Sequence, residues 1–101
     1  MGRKEFAMKE HVSPEGSVLG VADIELVGKV FTEGKFRLHV SERFYFGEKV
    51  DKHELVEKVN AFSNINLVGD RCLRVVKELG WVGEKGILRI AGVPHAHVYK
   101  L

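Results

Sequence analysis

Apolar and polar residues alternate with two different periods along this chain, and the periods predict where strands and helices lie. Between Phe36 and Val40 every second residue is apolar, which is typical of a strand with one buried face. From Lys52 to Leu79 apolar residues recur at intervals of three and four, which is typical of amphipathic helices. The pattern predicts an α+β fold, a small domain with a mostly antiparallel sheet and two consecutive amphipathic helices packed on one face.

The beginning of the chain is predicted to form a hairpin and a short helical turn. Two segments of strand character, 4–12 and 18–22, flank the turn-forming residues at 14–16. Asp23 is expected to cap a single helical turn over 24–26.

The next segment is predicted to be extended. The strand at 36–40 should bury Phe36 on one face and present Arg37 and His39 on the other. The aromatic run at 44–46 is expected to lie in a loop or at the end of a strand.

Two helices are predicted in the middle of the chain. Asp51 and Glu54 have the spacing of a capping box, so the first helix should run from about Lys52 to Phe62. Asn64 or Asn66 is expected to cap the second helix, and a glycine ends its apolar pattern.

The C-terminal part is expected to form two strands, at 87–91 and 95–101, separated by Gly92-Val93-Pro94. Side chains at every second position of a strand share one face. In the last strand that face would carry His95, His97, Tyr99 and Leu101.

The composition is that of a small globular protein. The chain has 101 residues, of which 45% are hydrophobic and 30% are charged, so we expect a single domain over 1–101. It contains no apolar run of membrane-spanning length, no signal-peptide pattern and one cysteine, which favours a soluble, cytoplasmic protein. Abundant Glu and Lys without any Gln favour a thermophilic source.

A local basic patch is the first candidate binding site, because the net charge of +2 provides no strong global field. Basic residues recur every three positions on the second helix, whose start could hold an anion. The candidate residues for nucleic-acid or anion binding are Asn66, Gly69, Arg71, Arg74, Lys77 and His95. The simpler alternatives are a solvated helix face and a glycine that lets the helix pack closely on the sheet.

A ligand pocket is the alternative candidate site. It would combine an aromatic run beside a glycine with the polar end of the last strand, and its candidate residues are Tyr45, Gly47, Pro94, His95 and Tyr99. A homodimer through an exposed part of the sheet is a further prediction.

Metal binding and catalysis receive little support. Four residues, His39, Cys72, His95 and His97, are of metal-ligand type, and His95 and His97 could supply two ligands from one strand face, but this pair has no partner at a standard spacing. The sequence has no nucleophile elbow and no phosphate-binding loop. We therefore predict no metal, no cofactor and no catalytic residue, and favour a binding module over an enzyme.

Three motifs resemble an uncharacterised archaeal family, a domain of unknown function. They are Phe44-Tyr45 followed by Gly47, then Asn66-Leu67-Val68-Gly69, then Gly92-Val93-Pro94-His95-Ala96. The resemblance covers nearly the whole chain. It implies a small, archaeal, cytoplasmic α+β protein without an established activity and with an association with translation. The positions it marks are Tyr45, Gly47, Asn66, Gly69, Pro94 and His95.

These observations favour a non-catalytic module that binds RNA or a ribonucleoprotein connected with translation. The alternative is a small ligand-binding or metal-binding protein, or an enzyme, with a pocket around His95 and Tyr45.

Overall fold

Eight strands and three α-helices form between residues 2 and 101, the part of the chain that this computed structural model describes. The strands are β1 (Phe6–Ser13), β2 (Gly16–Asp23), β3 (Val30–Glu33), β4 (Phe36–His39), β5 (Glu48–Val50), β6 (Asn64–Val68), β7 (Leu88–Ile90) and β8 (Val93–Tyr99). The helices are α1 (Glu42–Tyr45), α2 (Lys52–Ala61) and α3 (Asp70–Glu78), and 3₁₀ turns lie at Ile24–Leu26 and Glu84–Gly86.

Six of these strands form one sheet in the order β5-β1-β2-β6-β8-β7, and β3 and β4 form a separate hairpin. Neighbouring strands run antiparallel, except that β2 and β6 are parallel. The chain returns to the middle of the sheet at β6 only after forming the small hairpin, α1, β5 and α2. The α+β class and the mostly antiparallel sheet are confirmed.

The two longer helices pack on one face of the sheet, as predicted, and cover the main hydrophobic core. In β6 the alternation places Ile65 and Leu67 towards the helices, while Asn64 and Asn66 lie on the opposite face. Removing this apolar surface from water is the dominant favourable contribution to folding. The largest fully buried side chains include Phe6, Met8, Leu19, Leu55, Ile65 and Leu67.

The segment between the helices differs from the prediction, because Asn64 and Asn66 belong to a strand and cap no helix. The sequence Asn-Ile-Asn-Leu has the two-residue period of a strand, and β2 and β8 pair with both of its edges. The helix begins only after Gly69, which is its N-cap residue with φ of 119°. The two helices are therefore separated by the central strand of the sheet.

The N-terminal hairpin and the first long helix agree with prediction. β1 and β2 pair along their full lengths. The capping box at the start of α2 is present, with Asp51 Oδ1 accepting from the amide of Glu54 at 2.9 Å and Glu54 Oε1 accepting from the amide of Asp51 at 3.1 Å. The helix ends at Ala61, one residue before the predicted end.

Two aromatic parts of the chain differ from prediction. Phe44 and Tyr45 do not lie in a loop, because the hydroxyl of Ser41 accepts from the amide of Phe44 and starts the short helix α1. Phe36 is 68% exposed, not buried, because it lies at the tip of the β3–β4 hairpin, beside its turn and outside the large sheet.

The bounds of the two C-terminal strands also differ from the prediction. The break lies at Ala91 and Gly92, whose positive φ angles of 52° and 81° suit a tight two-residue hairpin turn. Pro94 is therefore inside β8, not in an interruption before it.

Asp23 does not cap the 3₁₀ turn that follows it, contrary to prediction. Its buried carboxylate instead accepts hydrogen bonds from the amides of Arg71 and Cys72, at 3.0 and 2.9 Å, in the first turn of α3. Gly69 lies against the same carboxylate, because a Cβ atom placed on this glycine would be 2.4 Å from Asp23 Cγ. Burial raises the pKa of Asp23, and the two amides act against that rise.

We expect Gly69→Ala to destabilise the protein by about 2 kcal/mol more than Gly28→Ala, as measured by urea unfolding. Both glycines have positive φ, 119° and 89°, so both substitutions strain the backbone by about 1–2 kcal/mol. Only Gly69 also meets a buried carboxylate, whereas nothing lies within 4 Å of a Cβ atom at Gly28. Equal losses in the two variants would contradict this role of Gly69.

Candidate functional site

Polar and aromatic side chains collect on the face of the sheet opposite the two longer helices. The pairing of β6 with β8 places Val68 beside His95, Asn66 beside His97, and Asn64 beside Tyr99. The positions between them, including Leu67 and Ala96, are buried towards the helices. We call the surface formed by Asn64, Asn66, His95, His97 and Tyr99 the open face.

Helix α1 and the small hairpin cover the neighbouring part of this side of the sheet. Ala22, Val40, Tyr45 and Val68 form a second, smaller core beneath them. Tyr45 is thereby brought to the edge of the open face. Sequence patterns alone do not reveal this approach, because it depends on how α1 docks.

A pocket of about 270 Å³ lies where α1 meets the open face. Its polar lining comes from Tyr45 in α1, Asn66 in β6, and His95 and His97 in β8. Leu88, which lies opposite His95 on β7, adds an apolar wall and is 63% exposed. We call this the Tyr45 pocket, and Leu88 is a lining residue that the sequence analysis did not identify.

Gly20 and His11 fix the position of α1 on the sheet. A Cβ atom on Gly20 would be 2.5 Å from the carbonyl oxygen of Phe44, so only glycine allows this close approach. His11 Nε2 donates a hydrogen bond to the same carbonyl at 2.8 Å, and its ring stacks on Phe44 at 4.6 Å between centroids. These contacts position Tyr45, although neither residue lines the pocket.

The groups that line the pocket can form hydrogen bonds, and neither Tyr45 nor Asn66 carries a charge. Burial raises the pKa of Tyr45 to about 12, so its phenol stays neutral at physiological pH. His95 Nδ1 is buried and has no hydrogen-bond partner in the described residues. An unpaired buried polar atom costs about 1–3 kcal/mol, so a ligand that bonds to it would recover part of this cost. The ring of His97, by contrast, already forms a hydrogen bond with the side chain of Asn64.

The predicted nucleic-acid residues divide into two groups. Asn66 and His95 lie on the open face, whereas Arg71, Arg74 and Lys77 belong to α3 on the opposite side of the sheet. A smaller pocket of about 160 Å³ near the β7 edge includes Arg74 and Lys77. The six residues therefore do not form one surface.

Much of the basic character of α3 is neutralised within the protein. Arg71 forms ion pairs with Glu5 and Glu25, and Lys77 pairs with Glu84. Arg74 is exposed and lies outside the ion pairs of the described residues. Partly exposed pairs of this kind contribute about 1 kcal/mol or less to stability, but they compete with phosphate for the cations.

The start of α3 offers no open anion site at its capping amides. Asp23 already occupies the amides of Arg71 and Cys72, and its carboxylate fills the space beside Gly69. In this structure Gly69 therefore packs against Asp23, as in the alternative of close packing of the helix on the sheet.

The alternative set of pocket residues is brought together only in part. Tyr45 and His95 meet in the Tyr45 pocket. Gly47 instead packs on β1, where a Cβ atom would lie 2.9 Å from the carbonyl oxygen of Met8. Pro94 is buried, and its carbonyl accepts from the amide of Gly69 at 2.9 Å. Tyr99 lies further along the open face.

The four residues of metal-ligand type do not converge. No group of three or more His, Cys, Asp or Glu side chains with metal-binding geometry occurs within residues 2–101. Cys72 is fully buried on the helix side of the sheet, and burial raises its pKa well above the ordinary value.

Within residues 2–101, no helix combines the length and the apolar character needed to cross a membrane.

A family model described as "Protein of unknown function (DUF424)" matches residues 10–101. The chain belongs to this family. The DUF424 match confirms the family resemblance seen in the three sequence motifs. A crystal structure of an uncharacterized conserved protein from Methanopyrus kandleri, an archaeon, is similar, with a TM-score of 0.77 and 28% identity over 95% of this chain and 91% of that chain. The search of curated proteins gave no match.

We expect Gly20→Ala to destabilise the protein by about 1–3 kcal/mol, because the added methyl group collides with the backbone of α1. If α1 is displaced, Tyr45 becomes more exposed, and its pKa should fall from about 12 towards 10, as followed by ultraviolet absorbance. Gly83→Ala is the matched control, because nothing lies within 4 Å of a Cβ atom there and its φ is −112°. An unchanged tyrosine titration in a destabilised Gly20→Ala variant would argue against the positioning role.

Proposed function

We propose that this DUF424 protein is a cytoplasmic, non-catalytic module that binds single-stranded RNA, free or within a ribonucleoprotein of translation. The observation that carries the proposal is the Tyr45 pocket, in which a phenol, an amide and two imidazoles converge on an uncovered sheet surface. Unpaired RNA bases are recognised by stacking on aromatic rings and by hydrogen bonds to their edges. The open face supplies groups for both types of contact.

In the proposed complex, one base enters the Tyr45 pocket. The side-chain amide of Asn66 can both donate and accept hydrogen bonds, which matches the mixed donors and acceptors of a base edge. His95, which lines the pocket, can form a hydrogen bond to the base through its ring. Leu88 and the histidine rings provide apolar and stacking contact with the faces of the base.

The charges of the protein predict how binding should depend on salt. The net charge is only +2, and Arg71 and Lys77 are engaged in internal ion pairs. Few phosphates would be neutralised, so few counterions would be released on binding. We therefore expect affinity to come mainly from stacking and hydrogen bonding, with a shallow dependence on salt concentration.

The test is fluorescence anisotropy of a labelled, single-stranded RNA of mixed sequence. His95→Ala and Asn66→Ala should each weaken binding about tenfold, because each removes hydrogen bonds worth about 1–2 kcal/mol at the base. Arg74→Glu is the control on the opposite side of the sheet and should change affinity little. Circular dichroism and urea unfolding check that each variant remains folded.

Two results would contradict this proposal. If wild type binds no single-stranded RNA even at low salt, the function is wrong. If Arg74→Glu abolishes binding while the two pocket variants bind normally, RNA binds at α3 and the proposed contact surface is wrong.

A second function is favoured by the unpaired His95 Nδ1, which also suits a free small molecule. The pocket of about 270 Å³ is of a size to hold one heteroaromatic ring, such as a nucleobase or nucleoside. A ligand that binds the folded state raises its melting temperature, by an amount equivalent to about 2.7 kcal/mol at one hundred times its Kd.

We expect a screen of nucleobases and nucleosides by differential scanning fluorimetry to identify such a ligand if this second function holds. The shift in melting temperature should disappear in His95→Ala and persist in Arg74→Glu. If no compound shifts the melting temperature of wild type, or if a shift persists in His95→Ala, this function is rejected.

A further inference from the structure

A second cavity lies at the other end of the strands that form the Tyr45 pocket. Its volume is about 690 Å³, and it is the larger of the two. The end of β1 contributes Ser13, the start of β2 contributes Ser17, and the connection from α2 to β6 contributes Ser63. Tyr99 and Asn64 form its border with the open face. We call it the Tyr99 cavity.

Along the open face, cross-strand pairs of β6 and β8 connect the two cavities at a regular spacing. Asn66 and His97 form one cross-strand pair in the Tyr45 pocket, and Asn64 and Tyr99 form the next pair in the Tyr99 cavity. Successive pairs on one face of a strand are two residues apart, which is about 6.6–6.8 Å. The ring centroids of His97 and Tyr99 are 6.4 Å apart, in agreement with that repeat. This spacing is close to the distance between successive nucleotides in an extended, unstacked strand.

The side chains of the Tyr99 cavity suit a base and a ribose better than a phosphate. The ring of Tyr99 is 64% exposed and offers a free aromatic face. The serine hydroxyls can bond to the hydroxyl groups of a ribose. Glu15 also lines the cavity and would repel a phosphate. The ammonium group of the neighbouring Lys100 is already engaged, because it lies over Trp81 and donates to backbone oxygens at the end of α2.

We propose that the Tyr99 cavity is a second nucleotide subsite, with Tyr99 as the stacking platform for a base. A single RNA strand would then run along β8 from the Tyr45 pocket to the Tyr99 cavity, so that at least two successive nucleotides contact the protein. This inference rests on the proposed RNA-binding function. It adds the path and a minimum length of the ligand, which the Tyr45 pocket alone does not specify.

The experiment compares a nucleoside monophosphate with single-stranded di- and tetranucleotides by isothermal titration calorimetry. Wild type should bind the oligonucleotides about tenfold or more tightly than the monomer, because a second base stacks on Tyr99. Tyr99→Ala should lose this gain, so that it binds the oligonucleotides about as tightly as the monomer. Tyr99→Phe keeps the aromatic ring and should keep the gain, which separates stacking from a loss of folding.

The outcomes separate this inference from the function on which it rests. If wild type gains nothing with length, or if Tyr99→Ala keeps the full gain, the second subsite is wrong while RNA binding stands. If Tyr99→Ala weakens oligonucleotide binding but His95→Ala does not, the Tyr99 subsite is supported and the Tyr45 pocket is rejected. If wild type binds no RNA of any length, both proposals are wrong.

Discussion

The buried contact between Asp23 and the first turn of α3 connects the central elements of this fold. Asp23 ends β2, and its carboxylate accepts from the amides of Arg71 and Cys72, 48 and 49 residues later in the chain. Gly69, between β6 and α3, provides the space for this contact. The contact therefore fixes where β6 ends beside β2 and how α3 leaves the sheet. Burial of a carboxylate is costly, and the amides at a helix start are the type of partner that offsets this cost.

Strand β6 contributes different kinds of side chain to the two faces of the sheet. Its residues Ile65 and Leu67 belong to the core beneath α2 and α3, whereas its two asparagines lie on the open face. Because the core side holds the fold together, the packing of the main core does not depend on the asparagines and the facing residues of β8, and the proposed function assigns them to a ligand. The short helix α1 completes the site from the same side, held by the close approach of Gly20 to the carbonyl of Phe44.

Local patterns predicted the elements whose stabilising contacts are local. The β1–β2 hairpin and the capping box of α2 are examples, since each depends on residues that are close in sequence. The segment at 64–68 was predicted wrongly because its two-residue period is too short to distinguish a strand from the start of a helix, and the pairing with β2 that makes it a strand comes from far earlier in the chain. The first turn of α3 is likewise capped by a distant residue, Asp23. The residues near the start of the helix therefore could not indicate this contact. Phe36 is exposed because the small hairpin lies outside the large sheet, which its alternation does not show.

The sequence indicated individual residues of the candidate site but not the surface that they form together. The face shared by His95, His97 and Tyr99 follows from strand geometry alone, whereas the approach of Tyr45 and Asn66 requires the tertiary fold. Three of the positions marked by the family motifs, Tyr45, Asn66 and His95, meet in one pocket, while Gly69 and Pro94 meet behind it in a backbone hydrogen bond. The motifs thus combine residues that line the pocket with residues of the backbone framework behind it. Since the cations of α3 are largely paired on the opposite side, the proposed recognition at this pocket would depend on shape, stacking and hydrogen bonds more than on net charge.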